Sequence, residues 1–162
     1  MDKTYRHGAA GALLDEYERA LSDFKNIVND ISNEQLVTIV DPDTEDTRCR
    51  SVQTILSHVV SAGYKYAVYI RRSMGIDIDF PEAVTHINIK AYLHHLDDMF
   101  AFTLDTFKEI NDSQLEQPDN SKKMMTSWRQ CYDIEQLVEH AIVHILRHRR
   151  QIEKFKIILS KE

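Results

Sequence analysis

Hydrophobic residues recur at three- and four-residue spacing in four long stretches, the period of helices that each bury one side. The first runs from about Ala9 to Ile31, with Leu13, Leu14, Tyr17, Leu21, Phe24, Val28 and Ile31 in its stripe, and Ser32-Asn33 marks a turn after it. The second starts at Ser51, a residue suited to capping, and carries Val52, Ile55, Leu56, Val59, Gly63, Tyr66 and Ile70 as far as Ser73-Met74-Gly75. The third covers roughly Thr85 to Ile110, with Ile89, Tyr92, Leu93, Leu96, Phe100, Leu104 and Phe107 on one side. The fourth opens on Asp133 and Gln136, the pattern of a capping box, and continues to about Leu159. Between them lie a polar connection from Val37 to Arg50, a loop holding Pro81, and a longer link from Asn111 to Tyr132 in which Met124 to Trp128 suit a short hairpin or lid. A faint echo joins Ile31-Ser32-Asn33-Glu34-Gln35-Leu36 to Ile110-Asn111-Asp112-Ser113-Gln114-Leu115. The expected fold is all-α, a four-helix bundle forming a single domain over residues 1–162.

Composition supports long helices over strands, because four glycines and three prolines among 162 residues provide few turns. A chain this long can close one sizeable core. No apolar run reaches the roughly 20 residues that span a bilayer, and Met1 to Tyr5 lack a basic-then-apolar leader pattern. The two cysteines, Cys49 and Cys131, lie far apart, which points to a reduced cytoplasm and not to a disulfide scaffold. A net charge of −6 excludes a basic footprint for nucleic acid, so neither nucleic acid nor membrane is expected as a partner.

The fourth helix adds chemistry to this pattern. His140, His144 and His148 fall at four-residue intervals, and each step turns the side chain by only about 40°. On a wheel with His144 at zero, Leu137, Ala141, Ile145, Ile152, Phe155 and Leu159 fall between about 20° and 100°. His148 lies within that arc and His144 at its edge, whereas His140 turns outward beside Arg147. Two histidines so placed can hold a metal ion with a third ligand from another helix. His58, flanking the stripe of the second helix, is the best candidate. His94 and His95 are rivals outside the stripe of the third, and His7 and His86 carry little signal. The alternative is a pair of core histidines satisfied by hydrogen bonds.

The run His144-x-x-x-His148-Arg149-x-Gln151-Ile152, preceded by His140, closely resembles the C-terminal His-x-x-x-His-Arg-Gly-Gln signature of the DinB-like (YfiT-like) metal-dependent hydrolase and thiol S-transferase superfamily. The segment Ser51-Val52-Gln53-Thr54-Ile55-Leu56-Ser57-His58-Val59 resembles that family's second-helix motif, and helix order and length agree over nearly the whole chain. The resemblance implies a cytoplasmic, bacterial, homodimeric protein with His58, His144 and His148 as ligands of one divalent ion, zinc or nickel foremost and iron or manganese after them. It departs from the pattern at Arg150, where the family has glycine. At about −120° on the wheel Arg150 should point outward and leave the site intact.

Three histidines without an obvious fourth ligand describe an open site for catalysis. Such a site can activate water for hydrolysis or a thiol for transfer. Neither an HExxH pattern nor the Glu-x-x-His pairs of di-iron bundles are present. Glu139 and Glu153 fall on the polar side of the fourth helix and Asp133 caps it, which leaves no evident general base. The expectation is therefore a thiol S-transferase acting on a small electrophile, possible partners being a small-molecule substrate and a low-molecular-weight thiol. A metal-dependent hydrolase, or a non-catalytic bundle whose histidines serve stability or dimerisation, stands as the alternative. Gln151 is expected to orient an imidazole, and Arg149 to pair with a carboxylate on a neighbouring helix. Tyr66, Tyr69 and Tyr92 suit either pocket or core, Trp128 suits a lid or a loop anchor, and Cys131 is expected to be buried and inert.

Overall fold

A computed structural model describes residues 4–161. Its helices are α1 (Gly8–Val28), α2 (Asn33–Val37), α3 (Val52–Ser73), α4 (Ile89–Phe107) and α5 (Ile134–Leu159). Two short strands, β1 (Met124–Met125) and β2 (Cys131–Tyr132), pair antiparallel as a hairpin before α5. The four long helices share one buried cluster, with Phe24, Val28, Leu56, Ile55, Tyr92, Leu96, Met99, Leu137, Ile145 and Ile152 at its centre.

Helix starts follow local capping chemistry. The Ser51 hydroxyl accepts from the Thr54 amide at 3.1 Å while Thr54 Oγ1 accepts from the Ser51 amide at 3.0 Å. Asp133 and Gln136 close the same reciprocal box at 2.9 and 3.3 Å. Each box satisfies two amides that the first turn leaves without intrahelical partners. Helix α1 has no such residue at its own start. Instead the Asp112 carboxylate, over a hundred residues away, accepts from the Ala9 and Ala10 amides at 2.9 and 3.0 Å.

Element boundaries shift where tertiary contacts compete with periodicity. Helix α1 ends at Val28, three residues earlier than expected, although Ile31 still packs into the core. The expected turn at Ser32-Asn33 instead opens α2, with Ser32 and Gln35 forming a capping box. Helix α4 starts at Ile89 rather than Thr85, because Asn88 Oδ1 takes the Ala91 amide at 2.9 Å and fixes the first turn there. The echo between Ile31–Leu36 and Ile110–Leu115 is a shared device: Gln35 and Gln114 each accept from the backbone amide three residues earlier. Each turn then plants a leucine, Leu36 or Leu115, in the core.

Helix α1 packs on α4 and α5, and α3 packs on the same two. Helices α3 and α4 run parallel, since Ser57 meets Tyr92, Gly63 meets Met99 and Arg71 meets Thr106. Helices α1 and α5 also run parallel, with Asp23 on Arg149 and the Ile27 carbonyl on Lys156. Across the seam between α3 and α5 the direction reverses, His58 lying against His148 and Tyr66 against His140. The close approach of α3 and α4 depends on Gly63, where a Cβ would sit 2.3 Å from Met99 Sδ. The two long connections thus cross between diagonal helices and bring loop residues back over the ends of α3 and α5.

Because Asp133 caps α5 and also holds Lys123 at 3.1 Å, Asp133→Ala is expected to destabilise the fold by about 2 kcal/mol in urea unfolding while leaving native helix content unchanged. A loss within error would show that the cap contributes nothing to α5.

Candidate metal centre

The antiparallel seam of α3 and α5 sets His58 opposite a face of α5 that presents His144 and His148 one turn apart. Their Nε2 atoms converge: His144 Nε2 lies 2.9 Å from His58 Nε2 and 3.2 Å from His148 Nε2. Ligand atoms of all three lie within 4.8 Å of one another. Among the described residues this is the only such group of three or more histidine, cysteine, aspartate or glutamate side chains.

The spacing of the three rings is compatible with a metal ion. A neutral imidazole nitrogen carries one proton or one lone pair, not both. His144 Nε2 therefore cannot make a well-formed hydrogen bond to His58 and another to His148 at once. Three lone pairs directed at a common ion would resolve the conflict. Nitrogens each about 2.05 Å from a common ion stand about 2.9 Å apart at a right angle and about 3.3 Å apart at the tetrahedral angle. The observed 2.9 and 3.2 Å separations fit that range.

The protonation states agree. Burial pushes His58 down to about 4, with the neighbouring His148 adding to the shift. Burial and the adjacent His148 and His58 push His144 down to about 2. Burial also lowers His148, against an opposing hydrogen bond that it donates to Gln151. All three imidazoles are then neutral at physiological pH, the form that ligates metals. Gln151 sets the tautomer of His148. Its Nε2 donates to the Cys49 carbonyl at 3.4 Å, which leaves Oε1 to accept from His148 Nδ1–H at 3.1 Å and frees Nε2.

Two cavities meet at the triad. One, of about 660 Å³, is lined by Tyr66, Trp128 and His140 together with His58 and His144. Trp128 stacks on His140 with the rings 19° apart, and the hairpin that carries it is fastened by the Ser127 amide donating to Tyr69 Oη at 2.8 Å. The other, of about 510 Å³, lies on the His148 side and reaches Arg48, Cys49 and Arg147. A further cavity, of about 740 Å³ beside Arg71, Lys122 and Asp133, is lined by no histidine.

Other candidates separate from the triad. His95 pairs with His86 at 2.9 Å on α4 and the loop before it, and His94 is exposed. His7 is exposed at the start of α1. His140, expected to turn to solvent, is half-buried, because the hairpin folds Trp128 and Tyr132 against it. Tyr92 is fully buried and bonds Ser57 and the Gln53 carbonyl, so it serves the core and not the cavity. Arg149 reaches Asp23 of α1 at 3.3 Å. Cys131 is exposed on the hairpin, not buried, since β2 lies on the surface. Arg48 and Cys49 escape sequence reading because their connection lacks periodicity, although Asp46 accepting from the Arg48 amide is a recognisable turn signal. No helix among the described residues is long and apolar enough to cross a membrane.

Compared with known proteins, the chain matches no family model and no curated protein.

Two outcomes follow from this geometry. Gln151→Leu is expected to weaken zinc binding about 10- to 100-fold in a chelator competition, with unchanged circular dichroism. In the metal-free protein, His58 and His144 titrate in the folded state below their ordinary value of 6.5. The unfolded chain then binds more protons, so stability is full above about pH 6.5 and is lost as pH falls toward 4. Urea midpoints should decline over that window, and less steeply in a His58→Ala/His144→Ala double variant. An equal decline would place the acid sensitivity elsewhere.

Proposed function

We propose that this chain is a divalent-metal enzyme of the DinB-like superfamily, built on that family's four-helix bundle, which transfers a small thiol to a small electrophile. The observation that carries the reading is the convergence of three neutral imidazole nitrogens at the wall of a cavity, with no fourth protein ligand within reach among the described residues. A closed structural site would use four protein donors. Zinc or nickel suits the donor set best. When bound, the ion supplies the positive charge that favours a thiolate over a thiol at neutral pH.

The chain's own residues do the rest. His58, His144 and His148 hold the ion, and Gln151 fixes the ring of His148. Tyr66 and Trp128 give the 660 Å³ cavity an aromatic wall suited to the body of the electrophile. In the transfer the thiol proton leaves to solvent and sulfur forms a bond to the electrophilic carbon. The bond from that carbon to its leaving group breaks, and the leaving group takes the electron pair. Among the described residues no aspartate or glutamate lines this cavity, so a general base for hydrolysis would have to be His140, whose ring is stacked against Trp128. That favours transfer over the hydrolase reading. A homodimer belongs to the proposal, with exposed Ile157 and Ile158 offering apolar surface for it.

The test is conjugation of 2-mercaptoethanol to 1-chloro-2,4-dinitrobenzene by zinc-loaded protein. Turnover above the buffer rate is expected, and His144→Ala should return it to that rate. Equal turnover in the variant, or thiol-independent hydrolysis of an ester by the native protein alone, would overturn the proposal.

A further inference from the structure

The two cavities that meet at the triad differ in chemistry. The first joins aromatic and small apolar walls, with Tyr66, Trp128, Ala62 and Ala83, to hydroxyl side chains and two cations, Arg48 and Lys65. The second has no hydrocarbon side chain at all in its lining. Its walls carry four cations, Arg48, Arg147, Arg150 and Lys154, against a single carboxylate, Asp46. Asp46 is already committed to Arg48 through bonds of 2.7 and 2.8 Å. Among the described residues, no side chain forms a hydrogen bond or ion pair with those of Arg147, Arg150 and Lys154, although the chain as a whole has 26 acidic residues to 20 lysines and arginines. Positions 147, 150 and 154 are spaced three and four apart, so these side chains form one stripe along α5.

Arg150 stands where the DinB-like signature has glycine, and the sequence reading turns it outward. It is indeed exposed, yet it also lines this cavity with His148. The excess of unpaired positive charge is thus concentrated beside the triad by a side chain that the family pattern lacks. A partly enclosed space lined by cations of one sign focuses potential and favours anions, and guanidinium groups match the planar geometry of oxyanions.

We infer that the 510 Å³ cavity is a subsite for the oxyanion groups, carboxylate or phosphate, of a small molecule, with Arg147 and Arg150 as its main contacts and Lys154 at its rim. Resting on the proposed function, the occupant is the thiol cosubstrate: its anionic end sits among Arg147, Arg150 and Lys154, and its sulfur reaches the triad from the His148 side. The electrophile then occupies the aromatic cavity on the opposite side. The two substrates approach through different openings, the anionic one through the side with four cations rather than two.

Calorimetry on zinc-loaded protein at low salt tests this, with succinate, inorganic phosphate and mercaptosuccinate as probes. Succinate or phosphate should bind with one site per chain, and the tighter of the two identifies the oxyanion. The Arg147→Ala/Arg150→Ala variant, checked for native circular dichroism and full zinc content, should bind that anion at least about ten-fold more weakly. Raising the salt should weaken native binding in the same direction. Unchanged affinity in the variant would mean that the anion binds the zinc ion alone and would overturn the subsite, as would no binding of either anion. The thiol reading is separated by the third probe. Mercaptosuccinate should bind more tightly than succinate, and His148→Ala should abolish that advantage while succinate binding remains. Equal affinity of the two would remove the thiol from the account and leave the anion subsite standing.

Discussion

Packing of α3 against α5 is the contact on which the rest of the molecule's chemistry depends. Antiparallel alignment of these helices is what lets one histidine of α3 meet two of α5 at a point. Three imidazoles drawn out of water with their nitrogens face to face are costly unless something satisfies them. The hydrophobic cluster offsets that cost: Leu56, Val59, Leu137, Ala141, Ile145 and Ile152 are buried in the same core and hold α3 against α5. The three imidazoles are therefore held together at a packed seam, and a bound cation would satisfy their nitrogens.

The surrounding elements tune that seam without adding ligands. Asp133 and Ser51 set where α5 and α3 begin, and so set the register of His144 and His148 against His58. The turn at Thr47–Cys49 returns a carbonyl to Gln151, which fixes the tautomer of His148. The hairpin folds Trp128 over His140 and closes one side of the aromatic cavity. The triad lies where two cavities meet, one with an aromatic wall and the other without hydrocarbon side chains and richer in cations, so its two faces are chemically distinct.

Much of this was legible in the chain. Period and caps located α3 and α5 closely, because Ser51 and Asp133 are strong local signals followed by long amphipathic runs. The inward placement of His144 and His148 followed from the wheel, and the structure places His58 against them. What periodicity could not carry were contacts between distant segments. Asp112 caps α1 across the fold, which no local pattern announces. Asn88 moved the start of α4 because a side-chain cap outweighs weak helix preference before it. Arg150 illustrates the limit of a wheel: a direction about the axis does not say which loop comes to meet it. Here residues 44 to 49 do so, and an outward arginine becomes a cavity wall. His140 likewise gained Trp128 and Tyr132 as partners from the hairpin just before α5, which a helical period does not announce.

The central claim is that His58, His144 and His148 together hold one divalent ion with a coordination position left open. X-ray absorption spectroscopy on zinc-loaded protein, with zinc counted per chain, tests it most directly. The account predicts one zinc per chain, with about three imidazole nitrogens near 2.0 Å and a further light-atom donor from solvent. Absence of stoichiometric zinc, sulfur in the first shell, or a spectrum unchanged by His58→Ala would contradict it.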